Sequence, residues 1–176
     1  MKRLTLCTAR LELIAMDYAL ARAQIEDRMK FFEMLGVRAS AAWPPPLLDM
    51  EAMAYTRDRL ARFPEEIGWQ AWAWIDPIEL GGAKELVGFG GFTGQPDEDG
   101  AVELGYSVLP AREGQGYASE AVNALIAWAR HDRRVRTIIA HTMEDGLASQ
   151  KLLQRQGFSL APERPYPEVL RWERAA

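Results

Sequence analysis

Apolar and polar positions alternate with a period of two from Leu4 to Ile14, with Leu11, Leu13 and Ala15 on one face and Glu12 and Ile14 on the other, predicting a first strand. The period then lengthens. From Asp17 to about Leu35 the apolar residues are spaced for a helix, but the stripe is untidy, predicting one long or two broken helices between an Asp17 cap and a Gly36 stop. The run Ala39-Ser40-Ala41-Ala42-Trp43-Pro44-Pro45-Pro46 cannot be helical, because its prolines lack donors and restrict the residues before them. Asp49 opens a second helix through Met53, Leu60 and Ala61 that ends near Phe63-Pro64.

Strand patterning returns at Trp69 to Ile75 and Glu85 to Thr93, separated by Asp76-Pro77 and Gly81-Gly82, and the acidic turn Pro96-Asp97-Glu98-Asp99-Gly100 leads into a third strand. An antiparallel meander is expected. Alternation places Trp72 and Trp74 on one face and Trp69, Ala71, Ala73 and Ile75 on the other, as in a sheet covered on both sides. Next come a strand from Glu103, a glycine turn at Gly114-Gln115-Gly116, and a helix to about Arg130 whose apolar stripe is Ala118, Ala121, Val122, Leu125, Trp128 and Ala129. Arg136 to Thr142 reads as a strand, Asp145 to Gln156 as a helix stopped by Gly157, and Phe158 onward as short strands. The strand, helix and strand around the glycine turn form a parallel crossover on an otherwise antiparallel sheet.

A chain of 176 residues, 48% hydrophobic and 26% charged, fits one domain spanning 1–176. No run approaches the ~18 apolar residues of a membrane span, and Met1 to Arg10 has no apolar core of signal-peptide length, so a cytoplasmic protein with no membrane partner is expected. The net charge of −4 argues against a nucleic-acid partner. Arg130, Arg133, Arg134 and Arg136 flank a helix end, where the helix dipole and solvent account for them. Cys7, the single cysteine, is expected to be a small buried hydrophobe in the first strand. With His131 and His141 as the only histidines, no usual zinc arrangement can be completed, and no metal is expected.

Candidate chemistry concentrates at the glycine turn. Gly114 and Gly116 allow close backbone approach, and the free N–H groups of the following helix form an anion cradle suited to a phosphate or pyrophosphate. The other glycine-rich stretch, Gly88 to Gly94, lacks the dinucleotide spacing and runs into an acidic turn, so it reads as a bulged or closely packed strand. Neither stretch carries the Lys-Ser/Thr of a P-loop.

Several segments in order resemble the GNAT N-acetyltransferase superfamily, in its RimJ/RimL-type branch of ribosomal-protein N-terminal acetyltransferases. They are Thr8-Ala9-Arg10-Leu11-Glu12-Leu13, Val87-Gly88-Phe89-Gly90-Gly91-Phe92, Glu103-Leu104-Gly105-Tyr106, Gly114-Gln115-Gly116-Tyr117-Ala118-Ser119-Glu120-Ala121, and Ala148-Ser149-Gln150-Lys151-Leu152-Leu153 with Gly157-Phe158. The pattern is broken at Ala111, where Arg or Gln is usual, at Glu113 beside the first glycine, and at Gly146 in place of Asn. The resemblance implies an α+β (mixed α/β) fold with a mostly antiparallel twisted sheet of about six or seven strands, a parallel crossover and helices on both faces.

It also implies acetyl-CoA as cosubstrate, with acetyl passing directly to an amine in a ternary complex. Val108, Leu109, Arg112, Gly114, Gln115, Gly116, Tyr117, Ala118, Ser119 and Ser149 are then the cofactor-binding candidates, with the backbone of Val108 or Leu109 polarising the thioester carbonyl. Glu103 is the candidate proton acceptor, set against a plain surface glutamate, and Ser149 the candidate donor to the thiolate, set against a capping serine. Tyr106 and Tyr117 are further donor candidates; Tyr106 is also assigned to the substrate pocket. Trp43 is either part of a connector or an apolar wall of that pocket. The acceptor is left open among a protein N-terminus and small amines, as are another acyl-CoA donor, a silent CoA-binding protein, and a homodimer.

Overall fold

The computed structural model describes residues 3–77 and 83–176, so the expected Gly81-Gly82 turn lies outside the described residues. The first alternating run is a hairpin: β1 (Thr5–Cys7) and β2 (Glu12–Ala15) pair antiparallel, because the Thr8 N–H donates to the Leu11 carbonyl at 2.9 Å and turns the chain. Cys7 lies in β1 but is exposed, correcting the burial expected from its strand position. An outer strand leaves one face to solvent, which sequence alternation alone does not reveal.

The untidy helical stretch is two helices, α1 (Tyr18–Glu26) and α2 (Arg28–Leu35). Asp17 caps the first by accepting from the Leu20 N–H at 2.8 Å, and Asp27 breaks the stripe by capping the second through Lys30. Gly36, at φ 66°, closes α2 as a left-handed cap. Asp49 caps α3 (Met50–Arg62) through the Ala52 N–H.

The remaining strands are β3 (Ala71–Asp76), β4 (Glu85–Phe92), β5 (Ala101–Val108), β6 (Thr137–Met143), β7 (Ser159–Leu160) and β8 (Val169–Ala175). With α4 (Tyr117–Ala129) and α5 (Leu147–Arg155) they complete an eight-stranded sheet in the order β1-β2-β3-β4-β5-β6-β8-β7. Its neighbours are antiparallel except β5 and β6, joined in parallel by the α4 crossover. One core lies under α4 around Trp72, Trp74, Leu125 and Trp172; the other lies under α1 to α3 around Phe31, Trp43, Ala73 and Phe89. None of the described helices is long and apolar enough to cross a membrane.

Trp69 departs from its expected face. It precedes β3, so strand alternation does not govern it, and it packs on Trp128 at 4.7 Å between centroids, in the α4 core with Trp72. The Gly88–Gly94 stretch is a closely packed strand as far as Phe92, where β4 ends. A Cβ on Gly90 would fall 2.5 Å from Trp74 Cζ2 and 2.7 Å from the Gly105 carbonyl. Gly90→Ala is therefore expected to cost about 3 kcal/mol in a denaturant titration, since overpacking a rigid core is destabilising; an unchanged midpoint would contradict this packing.

Candidate active site

The parallel β5–β6 ladder runs only from Ala101–Thr137 to Glu103–Ile139. Beyond Glu103, β5 stays paired with β4 while β6 stays paired with β8, so the sheet opens into a wedge. Along β5 the Glu103 carbonyl accepts from the Thr93 N–H, on the β4 side, and the Leu109 N–H is donated to the Val87 carbonyl at 2.9 Å. Alternation turns the amides of Tyr106 and Val108 to the wedge side. Of the two polarising candidates, Val108 thus faces the wedge and Leu109 is already committed.

The glycine turn sits at the end of the wedge. Gly114 and Gly116 have φ of 71° and 83°, a region that other residues enter at a cost, and a Cβ at Gly114 would meet nothing within 4 Å. Conformation, not space within the chain, therefore demands glycine there. Gly116 is the N-cap of α4 and no side chain caps that helix, so its first-turn N–H groups stay available to an anion.

Arg10 braces this loop from β1's side. Its guanidinium donates to the Gln115 carbonyl at 2.9 Å and to Glu120 at 2.8 Å, and it lies over the Tyr117 ring at 4.9 Å. Thr8 and the Arg10 backbone also donate to Glu120. Burial raises the Glu120 pKa, but the hydrogen bonds from Thr8 and Arg10 and the Arg10 charge outweigh it and leave the carboxyl below its usual range. Because the folded pKa is depressed, the ionised carboxylate stabilises fully above the unfolded value of about 4.3 and progressively less as pH falls through the lower folded value. Acid titration of stability should therefore fall more steeply in the parent than in Glu120→Gln; parallel acid limbs would exclude this role.

Two cavities of about 520 Å³ each flank the wedge and share Leu47, Tyr106 and Ser107. The second is lined by Val108, Arg112, Gly114, Gly116, Tyr117, Ala118, Ser119 and Ser149, bringing most of the cofactor candidates together. Gln115 and Leu109 are not in that lining; the Gln115 amide instead donates to the Ala111 carbonyl and holds the turn. Arg112 is ion-paired with Glu85, and the Tyr117 hydroxyl donates a hydrogen bond to Asp76, so the Tyr117 side chain is structural while its backbone belongs to the cradle. Lys151 and Arg155, one helical turn apart on α5, add positive charge that the sequence reading overlooked despite their spacing of four. Glu113 lines the same cavity.

Ser149 stands in the first turn of α5, whose N-cap is Gly146 with no side-chain bond, so the capping alternative for this serine does not apply. The Tyr106 hydroxyl lies 3.4 Å from the Ser149 carbonyl, and burial raises its pKa, keeping it a protonated donor at neutral pH. Glu103 is exposed on β5 and hydrogen-bonded to Nδ1 of His141 at 2.9 Å. His141 lines the first cavity, whereas Glu103 reaches it through that imidazole. The sequence signal for His141 was slight: it sits two residues beyond Ile139, the register partner of Glu103. Trp43 is in neither lining; it is 2% exposed, tilted against Phe31 and edge-on to Phe89, and anchors the proline loop whose next residues, Pro46 and Leu47, border the cavities.

An uncapped cradle, a wedge in a mixed sheet and an adjoining second cavity thus lie together on β5, in a chain whose family the comparisons with known proteins show. Residues 18–159 match the acetyltransferase (GNAT) domain family. The chain belongs to that family. It is 33% identical over 153 residues to the uncharacterized N-acetyltransferase YjdG of Bacillus subtilis (strain 168), covering 87% of this chain and 88% of the relative. Among solved structures it resembles a GNAT-family acetyltransferase from Bordetella pertussis at TM-score 0.65, 26% identity, and 98% and 100% coverage of the two chains. RimL, a ribosomal L7/L12 alpha-N-protein acetyltransferase in complex with coenzyme A, shares the fold at TM-score 0.63 and 20% identity, with 96% and 95% covered.

Proposed function

We propose that this chain is an N-acetyltransferase of the RimJ/RimL type that moves acetyl from acetyl-CoA directly to a primary amine, with both substrates bound together. The observation that carries this reading is the pair of adjoining cavities with opposite charge. The cradle side has Arg112, Lys151 and Arg155 beside free helix N–H groups, suited to phosphates. The other side has Asp49 and Glu51 and, among its lining residues, no Lys or Arg, suited to an ammonium. The solved complexes of RimL with coenzyme A and of the microcin self-immunity acetyltransferase MccE with acetyl-CoA support the choice of donor.

Acetyl-CoA, when bound, supplies an acyl group activated on sulfur. The Val108 N–H is positioned to stabilise negative charge on the carbonyl oxygen as the amine nitrogen bonds to carbon. An ammonium with a pKa of ~10 must lose a proton before attack, and the His141–Glu103 pair accepts it. As the C–S bond breaks, Tyr106 or Ser149 supplies a proton to the departing thiolate. Direct transfer is favoured because Cys7, the only cysteine, lies on β1, separated from β5 by three strands in the sheet.

Thiol release from acetyl-CoA across a panel of amines tests the reading. Acetylated amine and free CoA in equal amounts are expected. Tight CoA binding with no release on any amine would favour the silent CoA-binding alternative. Propionyl-CoA outcompeting acetyl-CoA would correct the donor.

A further inference from the structure

We propose that the acceptor is a cationic primary amine carried on one compact apolar group and lacking a free carboxylate, an assignment that rests on the acetyl-transfer reading above. The walls of the first cavity are mainly apolar, from Leu48, Ala52, Phe89 and Phe92. Tyr55 adds to them, since its hydroxyl already donates to the Thr93 carbonyl at 2.7 Å and leaves its ring as the available surface.

Leu47 is the unusual member. It is 84% exposed and holds a φ of 68°, left-handed backbone that a leucine adopts only under constraint. The constraint is visible on both sides: the Ser107 hydroxyl donates to the Pro46 carbonyl, and Leu48 is buried in the core. The backbone strain thus keeps an apolar side chain in solvent where the two cavities meet, a position that an apolar guest would cover.

The carboxylates of the same cavity make it negative. Asp49 and Glu51 line it, both exposed on the first turn and cap of α3, and, among the described residues, no Lys or Arg does. A guest ammonium is attracted by these carboxylates, whereas a guest carboxylate is repelled. Free amino acids are disfavoured by that charge, and polyamines or aminoglycosides by the apolar walls, which cannot satisfy their many donors. An amino-acid amide and the first residue of a peptide share the required chemistry.

The test is calorimetric titration of the CoA-loaded protein, with thiol release from acetyl-CoA measured in parallel. The probes are phenylalaninamide, a short peptide amide beginning with phenylalanine, phenylalanine, glycinamide and spermidine. One or both of the first two should bind at least roughly ten-fold more tightly than the last three; the tighter of the two identifies the source as a small amine or a chain N-terminus. Leu47→Gly, which relieves the backbone strain, should lower phenylalaninamide affinity several-fold and leave glycinamide unchanged. Equal binding of phenylalanine, tighter binding of glycinamide or spermidine, no amine binding at all, or a preference untouched in Leu47→Gly would overturn the assignment. The expected preference without thiol release would uphold it and remove the transfer reading instead.

Discussion

Gly116→Val should lose acetyl-CoA binding by roughly a hundred-fold while the protein stays folded, combining backbone strain of 1–3 kcal/mol with weakened charge-assisted hydrogen bonds. Gly116 has a φ of 83° at the N-cap of α4, and its missing Cβ would lie 3.2 Å from an Arg10 nitrogen. A β-branched residue cannot hold that conformation without moving the first-turn amides or the Arg10 brace. Titration calorimetry reads the loss, and circular dichroism checks the fold. A Gly116→Val protein that binds as tightly as the parent would mean that the cradle is not the donor's anchor.

Glu103→Ala and His141→Gln should each retain acetyl-CoA binding and lose turnover, by about 10²-fold or more for the histidine, the usual contribution of a positioned proton acceptor. The loss should be largest at low pH, where least of the acceptor amine is neutral. Because Glu103 touches His141 at 2.9 Å, the two act as a unit, and the double variant should be little worse than His141→Gln alone. Rates matching the parent across pH for both single variants would remove the pair from the mechanism. A defect confined to Glu103→Ala would return the role to the carboxylate itself.

Local signals carried most of the fold. The caps at Asp17 and Asp49, the stop at Gly36 and the glycine turn before α4 each depend on residues within one turn of the chain, and each is found at its expected place. Asp27 was missed because a capping aspartate inside an apolar-periodic run looks like a surface residue. Cys7 and Trp69 failed for a different reason: strand alternation assigns faces only within a strand and does not say whether a face is covered.

The cradle side of the site was readable for the same local reason, since one continuous stretch from Tyr106 to Ser119 supplies most of its lining. The acceptor side was not. His141 meets Glu103 only through the parallel register of β5 and β6, and Leu47 follows a residue held by a bond from Ser107 to Pro46; behind the cradle, likewise, Arg10 meets Glu120 across 110 positions. No window along the sequence contains both members of any of these pairs. Trp43 illustrates the converse, an aromatic beside the site whose own ring belongs to the core.

Calorimetric titration of the protein with acetyl-CoA and, separately, with acetyl-pantetheine, which keeps the thioester and lacks the diphosphate, addresses the anion cradle most directly. Saturable acetyl-CoA binding, with acetyl-pantetheine weaker by at least roughly a hundred-fold, is the predicted result. Equal affinity for the two, or no heat with acetyl-CoA, would contradict it.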